Sequence, residues 1–310
     1  MVSLGLKPIP FAAATQIAFQ QPAREPLIKL RNNTFYLVIL LLGASQCRVD
    51  DTIDYADVPS NVSFESVMAL PHSGSGIELN YGNDALQYGL LWLPGTGVST
   101  PYPLVVFVHG GCWLNAYDIR HSFPLSTALS QAGYAVWSLE YRRTGDVGGG
   151  WPGTYDDISA GLAYAENLES YGVDTGDIIL IGHSAGGHLA LLAGTTYTDA
   201  SAVIGLAAIS NIIDYARGSN DCETATPQFM GGDYAELPDS YELANPTGKI
   251  PHINTYLLQG TADEIVPLVQ AQLEGTRRIL LDDAGHMDWI HPGTKAFSLL
   301  LSIIQDLRGH

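Results

Sequence analysis

Short apolar runs alternate along most of the chain with stretches whose apolar residues fall at helical spacing. Six runs read as buried strands: Pro103–Gly110, Tyr134–Arg142, Asp177–His183, Ala202–Ser210, Asn254–Gly260 and Arg277–Asp283. Each is nearly continuous in apolar residues, as expected where helices cover both faces of a parallel sheet. Upstream, SFESVMAL and LQYGLLWLP alternate more, which predicts an antiparallel hairpin at the sheet edge. Between the runs, helices are predicted at SFPLSTALSQAG, DDISAGLAYAENLESYG and AGGHLALLAGTTY, and a last one at TKAFSLLLSIIQDLRG. In that last segment Leu299, Leu300, Ile303, Ile304 and Leu307 share one helical face. The alternation predicts an α/β fold with a mostly parallel central sheet and helices on both faces. Asn211–Pro251 lacks clear periodicity and is rich in Asp, Gly, Pro and Tyr, which predicts an excursion above the sheet.

Composition adds limits. With 310 residues, 46% hydrophobic and only 15% charged, the chain can bury a sizeable core. A formal charge of -18 weighs against nucleic acid and anionic membrane surfaces as partners. Residues 1–47 differ from the rest: Lys7, Arg24, Lys29 and Arg31 stand against a single acid, Glu25. The apolar run Phe35–Ala44 is too short for a membrane span, which needs roughly 20 residues, but suits the apolar region of a signal peptide. Residues 1–47 are therefore expected to be a signal segment and 48–310 a single domain. The chain is expected to be exported, as a periplasmic, secreted or lipid-anchored envelope protein.

Gly43, Ala44, Ser45 and Cys47 resemble a bacterial lipoprotein cleavage box, although Gln46 departs from it. Ordinary cleavage near Ser45 and membrane attachment through a lipidated Cys47 both stay open. Either outcome leaves Cys112 and Cys222, as one disulfide or as two unrelated buried thiols.

Candidate chemistry centres on GHSAGG. Ser184 stands between a buried strand and a helix, in a G-x-S-x-G bend that lifts a serine hydroxyl into the open. Gly182 and Gly186 permit the turn, and the helix start aims its free N–H groups at the same spot. A nucleophilic serine needs a base, and the base needs an orienting carboxylate. Asp263 follows the strand ending at Gly260, and His286 follows the next one, so the order Ser184, Asp263, His286 supplies all three. His291 and Asp288, in the same loop as His286, and Glu264 and Asp282 are the weaker alternatives. His183 is expected to point to the opposite face of its strand and His188 to pack against the sheet. For the oxyanion, VVFVHGGCW offers backbone N–H donors at Gly111 and Cys112, with Gly110 permitting the turn, and Ala185 offers a further donor. His109 is expected to anchor this loop, and Trp113 either packs in the core or shapes the site.

HGGCW, GHSAGG, GTADEIVP and AGHMDWIHP, in that order, resemble the esterase/lipase branch of the α/β-hydrolase superfamily. The nearest resemblance is to bacterial carboxylesterases, a group that includes feruloyl-esterase-like enzymes and arylformamidase relatives. The stretch Glu140–Ile158, with its tyrosine-arginine pair and GGWPG, is similar to a segment of that group, and the likeness runs from about Gln87 to Leu307. It implies an α/β-hydrolase fold, catalytic roles for Ser184, Asp263 and His286, an oxyanion loop at Gly110–Cys112, and hydrolysis of a small-molecule ester. HGGCW departs from the HGGG of hormone-sensitive-lipase-like enzymes, and the span between Asp263 and His286 is short for the family, which suggests a trimmed helix. No metal or organic cofactor is implied. Amide hydrolysis, as in an arylformamidase or a small peptidase, is the alternative chemistry, and a non-catalytic binding protein on the same fold is the alternative class. The pocket walls are expected chiefly from Asn211–Pro251, with Trp151, Tyr155, Tyr215, Phe229, Tyr234 and Trp289 as aromatic candidates.

Overall fold

The computed structural model describes residues 52–197 and 199–309, so the expected signal segment, its Phe35–Ala44 run and Cys47 lie outside the described residues. Eight strands among the described residues form one sheet: β1 (Ile77–Asn80), β2 (Tyr88–Trp92), β3 (Tyr102–Val108), β4 (Ala135–Leu139), β5 (Val173–His183), β6 (Ala200–Leu206), β7 (Thr255–Gly260) and β8 (Arg277–Leu281). Their order is β1-β2-β4-β3-β5-β6-β7-β8. The pairs β1/β2 and β2/β4 are antiparallel, and every pairing from β4 to β8 is parallel. The helices are α1 (Phe64–Met68), α2 (Phe123–Gln131), α3 (Gly153–Tyr164), α4 (Ala185–Ala193), α5 (Ile212–Tyr215), α6 (Asp221–Met230), α7 (Pro238–Ala244) and α8 (Lys295–Leu307).

Side-chain alternation along β3 decides which helices cover which face. Leu104, Val106 and Val108 join the core that holds Ile158 and Leu162 of α3 and Leu189 and Ala190 of α4. Val105 and Phe107 join the other core, with Leu125 and Leu129 of α2 and Leu300 and Ile304 of α8. Each of these valine, leucine, isoleucine and phenylalanine side chains, taken fully out of water, contributes about 1.5–3 kcal/mol. α8 is fixed at its start by Thr294, whose hydroxyl accepts from the N–H of Phe297 at 3.2 Å. Thr294 thus satisfies one of the free donors of the first turn.

The six predicted strands are all present and mutually parallel, with ends shifted by a few residues. SFESVMAL is not a strand. Ser63 caps the short helix α1 by accepting from the N–H of Ser66, and only Val67 of that helix is fully buried. The edge hairpin instead pairs LQYGLLWLP with Ile77–Asn80. Asn211–Pro251 carries three helices, and α6 starts with a reciprocal cap in which Asn220 and Glu223 each accept the other's backbone N–H. Between β7 and β8 the only element among the described residues is the 3₁₀ turn Leu268–Ala271, in keeping with a trimmed helix.

The sheet order positions the site. From β3 the chain passes to β4 on one side, then crosses back to β5 on the other. In open α/β sheets such a reversal leaves a crevice outside the carboxyl ends of the strands, where ligands bind. Here the carboxyl end of β3 leads into His109–Trp113, and that of β5 leads into Ser184.

Candidate active site

Ser184 has φ 56° and ψ -122°, a left-handed backbone that costs a non-glycine residue energy unless its surroundings enforce it. They do so on three sides. The N–H of Ser184 donates to the carbonyl of Leu206 on β6 at 2.9 Å, and its own carbonyl accepts from His188 in α4 at 3.0 Å. A Cβ on Gly182 would lie 2.2 Å from the carbonyl oxygen of Gly186, and one on Gly186 would lie 2.2 Å from that of Val108. Both glycines are therefore required for the strand, turn and helix to pack this closely. Ala185 opens α4, so its N–H has no partner within the helix.

The loop after β3 is held in an equally unusual form. Gly111, Cys112 and Trp113 have φ of 111°, 52° and 57° in succession. Gly110 packs so tightly that a Cβ would lie 3.0 Å from that of Ser184, which places the loop directly beside the serine. His109 anchors the loop: its Nδ1 faces the Gly110 carbonyl at 2.8 Å and its Nε2 faces Glu140 Oε1 at 3.0 Å. Tyr141 stacks on the His109 ring and donates its hydroxyl to the His109 carbonyl at 2.6 Å. The buried Glu140 carboxylate also accepts from the N–H groups of Ile119 and Tyr141 and from Arg143, so the charge is amply compensated. The Glu140–Arg143 stretch, read from sequence only as a likeness, thus builds the floor of this loop. Trp113 is fully buried and stacks on Phe229 of α6 at 4.8 Å.

Cys112 is joined by a disulfide to Cys222 of α6, with Cα atoms 5.0 Å apart. Of the two open readings for these cysteines the structure shows the pair. The bridge ties the helical excursion to the loop beside Ser184.

His286 Nδ1 lies 2.8 Å from Asp263 Oδ2. The same carboxylate accepts from Gln259 Nε2 at 2.9 Å through Oδ2, and from the N–H groups of Ile265 and Val266, each at 2.9 Å, through Oδ1. Burial alone would raise the Asp263 carboxyl, but the attraction to His286, its hydrogen bond and the two backbone donors outweigh burial and hold it below the usual carboxylate range. An acceptor at Nδ1 keeps that nitrogen protonated, so Nε2 of the neutral ring is free to take a proton. Gln259, at the end of β7, was not identified from sequence; nothing separates it there from any other buried strand residue.

Ser184, His286, Gly111 and Cys112 line one cavity of about 190 Å³. Its walls include Phe64, Tyr117, Ile265 and Met287, while the excursion supplies only Cys222 among the described lining residues. The predicted aromatic walls are corrected accordingly. Tyr215, Phe229 and Trp289 are buried in the cores, and Trp151, Tyr155 and Tyr234 pack against the core instead of lining the cavity. The excursion turns its large side chains inward to cover α4 and Trp113, which leaves α1 to face the cavity.

The alternative residues have other partners. Asp288 is fully buried and accepts from three backbone N–H groups. His291 accepts from the N–H of Gly293, and Glu264 and Asp282 are exposed. His188 contacts the Ala244 carbonyl at 2.7 Å and packs its edge on Trp113; burial pushes its pKa down to about 4. His183 corrects its expected orientation: its ring packs against His286 and lines the cavity.

Similarity to known proteins agrees with this architecture. The chain is 32% identical to Esterase LipC of Mycobacterium tuberculosis over 120 residues, which is 38% of this chain and 29% of that protein. It is 26% identical to Esterase LipQ of the same organism over 188 residues, 55% of this chain and 44% of that protein. The chain thus spans less than half the length of either relative. Among solved structures, a truncated carbohydrate esterase from gut microbiota superposes with a TM-score of 0.65 at 22% identity, covering 77% of this chain and 98% of that one. Esterase B from Lactobacillus rhamnosis superposes at 0.66 with 19% identity, covering 79% and 90%. These likenesses are of fold, and the fold is that of the α/β-hydrolases. Residues 91–275, more than half of the chain, match the family model described as BD-FAE, and the chain belongs to that family.

Proposed function

We propose that the protein is a serine hydrolase of carboxylic esters that works through an acyl-enzyme. The observation that carries this reading is the strained Ser184 bend opening into the same cavity as His286, whose far ring nitrogen is held by Asp263. Ser184 Oγ attacks the ester carbonyl carbon while His286 Nε2 takes its proton. The resulting oxyanion is stabilised by the N–H groups of Gly111, Cys112 and Ala185, and one such donor is typically worth about 3 kcal/mol. His286 then returns the proton to the leaving alcohol, and a water activated in the same way releases the acid. The names of the relatives, esterases among them, support the ester class. A cavity of about 190 Å³ favours small or short-acyl esters. The Cys112–Cys222 disulfide supports export to an oxidising compartment.

The test is a panel of nitrophenyl esters of increasing chain length, a feruloyl ester and N-formylkynurenine, assayed beside Ser184→Ala and with fluorophosphonate labelling of both proteins. Ester cleavage and labelling that both vanish in Ser184→Ala are expected. Cleavage of the formamide alone would replace the ester reading with an amidase, and no labelling of the wild type would favour a non-catalytic binding protein.

A further inference from the structure

Part of the cavity wall comes from α1, which precedes the matched family region of residues 91–275. We propose that Phe64 on α1 is a specificity-determining residue that limits the size of the group the cavity admits, an inference that rests on the ester-hydrolase reading.

Phe64 is locked in place, which a selective wall requires. Its ring meets Tyr117 edge-on at 5.6 Å and leans on His121 at 5.7 Å, both of them cavity residues. Val67, one turn on, is fully buried. Immediately before α1, the N–H groups of Asn61 and Val62 donate to the two oxygens of Asp288 at 2.8 Å each. Asp288 lies two residues after His286, and its Oδ2 also accepts from Gly285 at 3.2 Å. A Cβ on Gly285 would fall 2.2 Å from Asn61 Oδ1, so the two segments touch backbone to side chain with no room between. Phe64 is therefore in fixed register with the loop that carries His286. At about 190 Å³ the cavity is smaller than the roughly 300–1,000 Å³ of pockets that take drug-sized ligands, and Phe64 is one of the bulky groups that bound it.

The test compares wild type, Phe64→Ala and Phe64→Tyr on two series. One is nitrophenyl esters from acetyl to octanoyl, and the other is acetate esters of alcohols from ethanol to benzyl alcohol. Phe64→Ala is expected to raise kcat/KM for the largest member relative to the smallest by about 10-fold or more in at least one series, chiefly through KM. Phe64→Tyr, which restores the ring, is expected to bring the ratio back. A ratio within about twofold of wild type in both series would overturn the inference while leaving the ester reading intact. A wild type that cleaves no ester would overturn the ester reading and this inference with it.

Discussion

The rings of His183 and His286 lie 4.7 Å apart, and His183 Nε2 meets the His286 carbonyl oxygen at 3.0 Å. Complete burial, reinforced by the nearby charge of His286, drives the His183 pKa well below its ordinary value. A neutral His183 with a carbonyl at Nε2 donates from Nε2, while Nδ1 is without a hydrogen-bond partner. The residue before Ser184 therefore fixes the backbone of His286, the proposed base. His183→Phe, which keeps a ring on the cavity wall and loses the donor, is expected to lower kcat about 10-fold, because it loosens His286. Steady-state kinetics on a short nitrophenyl ester decide this; unaltered kcat would make His183 a packing residue only.

Asp263 holds His286 through one oxygen and is itself held by Gln259, Ile265 and Val266. Asp263→Asn keeps the shape but replaces a charge that favours imidazolium with a neutral amide. A fall in kcat of roughly 10³–10⁴ is expected. Gln259→Leu, which frees only one of the carboxylate's partners, is expected to cost much less, about 10-fold. Equal losses in the two variants would show that Gln259 does more than steady the carboxylate.

Reduction of the Cys112–Cys222 bridge releases a link that spans 110 residues of sequence. Closing a loop of that length is worth about 3–5 kcal/mol in chain entropy. The Cys112→Ser, Cys222→Ser double variant is therefore expected to unfold at lower denaturant by about that amount. Cys112 also sits between two residues of positive φ beside Ser184, so the variant is expected to lose kcat several-fold as the loop relaxes. Denaturant titration and kinetics on the same preparation separate the two effects.

Burial pushes His121 down to about 3 and His188 down to about 4, from an ordinary 6.5. The folded chain thus refuses protons that the unfolded chain binds between pH 6.5 and about 4. Stability from these groups is complete above pH 6.5 and falls as the pH drops through that window, by about 1–2 kcal/mol for each histidine at pH 5. Asp263, held low, adds nothing to the loss there, because its contribution disappears only below the ordinary 3.8. Thermal midpoints measured from pH 7.5 to 5 should decline steadily, and His188→Asn should flatten the slope; a constant midpoint would contradict the burial of neutral histidines.

The parts of this molecule that could be read from sequence are those where one local rule decides. The buried parallel strands announce themselves as unbroken apolar runs, and the Ser184 bend announces itself because glycines at 182 and 186 are demanded by contacts within a few residues and by one neighbouring strand. The α1 helix was misread because its cap, Ser63 onto Ser66, competes with an alternating pattern of apolar residues that fits a strand equally well. The cavity walls were misplaced for a different reason. Nothing local to Phe64 reports that Asp288, more than two hundred residues away in sequence, fastens it beside His286. Gln259 and His183 were similarly hidden, since their partners are set by tertiary packing.

The Asp288 clasp has a consequence for how the chain matures. Its carboxylate joins Asn61 and Val62 across sequence separations of 227 and 226 residues, so during synthesis the segment before α1 waits for a partner translated more than two hundred residues later. Until then two backbone donors and a wall of the cavity have no settled place, and His286 itself has only just been added. In the proposed reaction, a segment that carries Ser184 and its loop but lacks His286 and Asp288 is therefore without both the base and the clasp that seats the cavity wall.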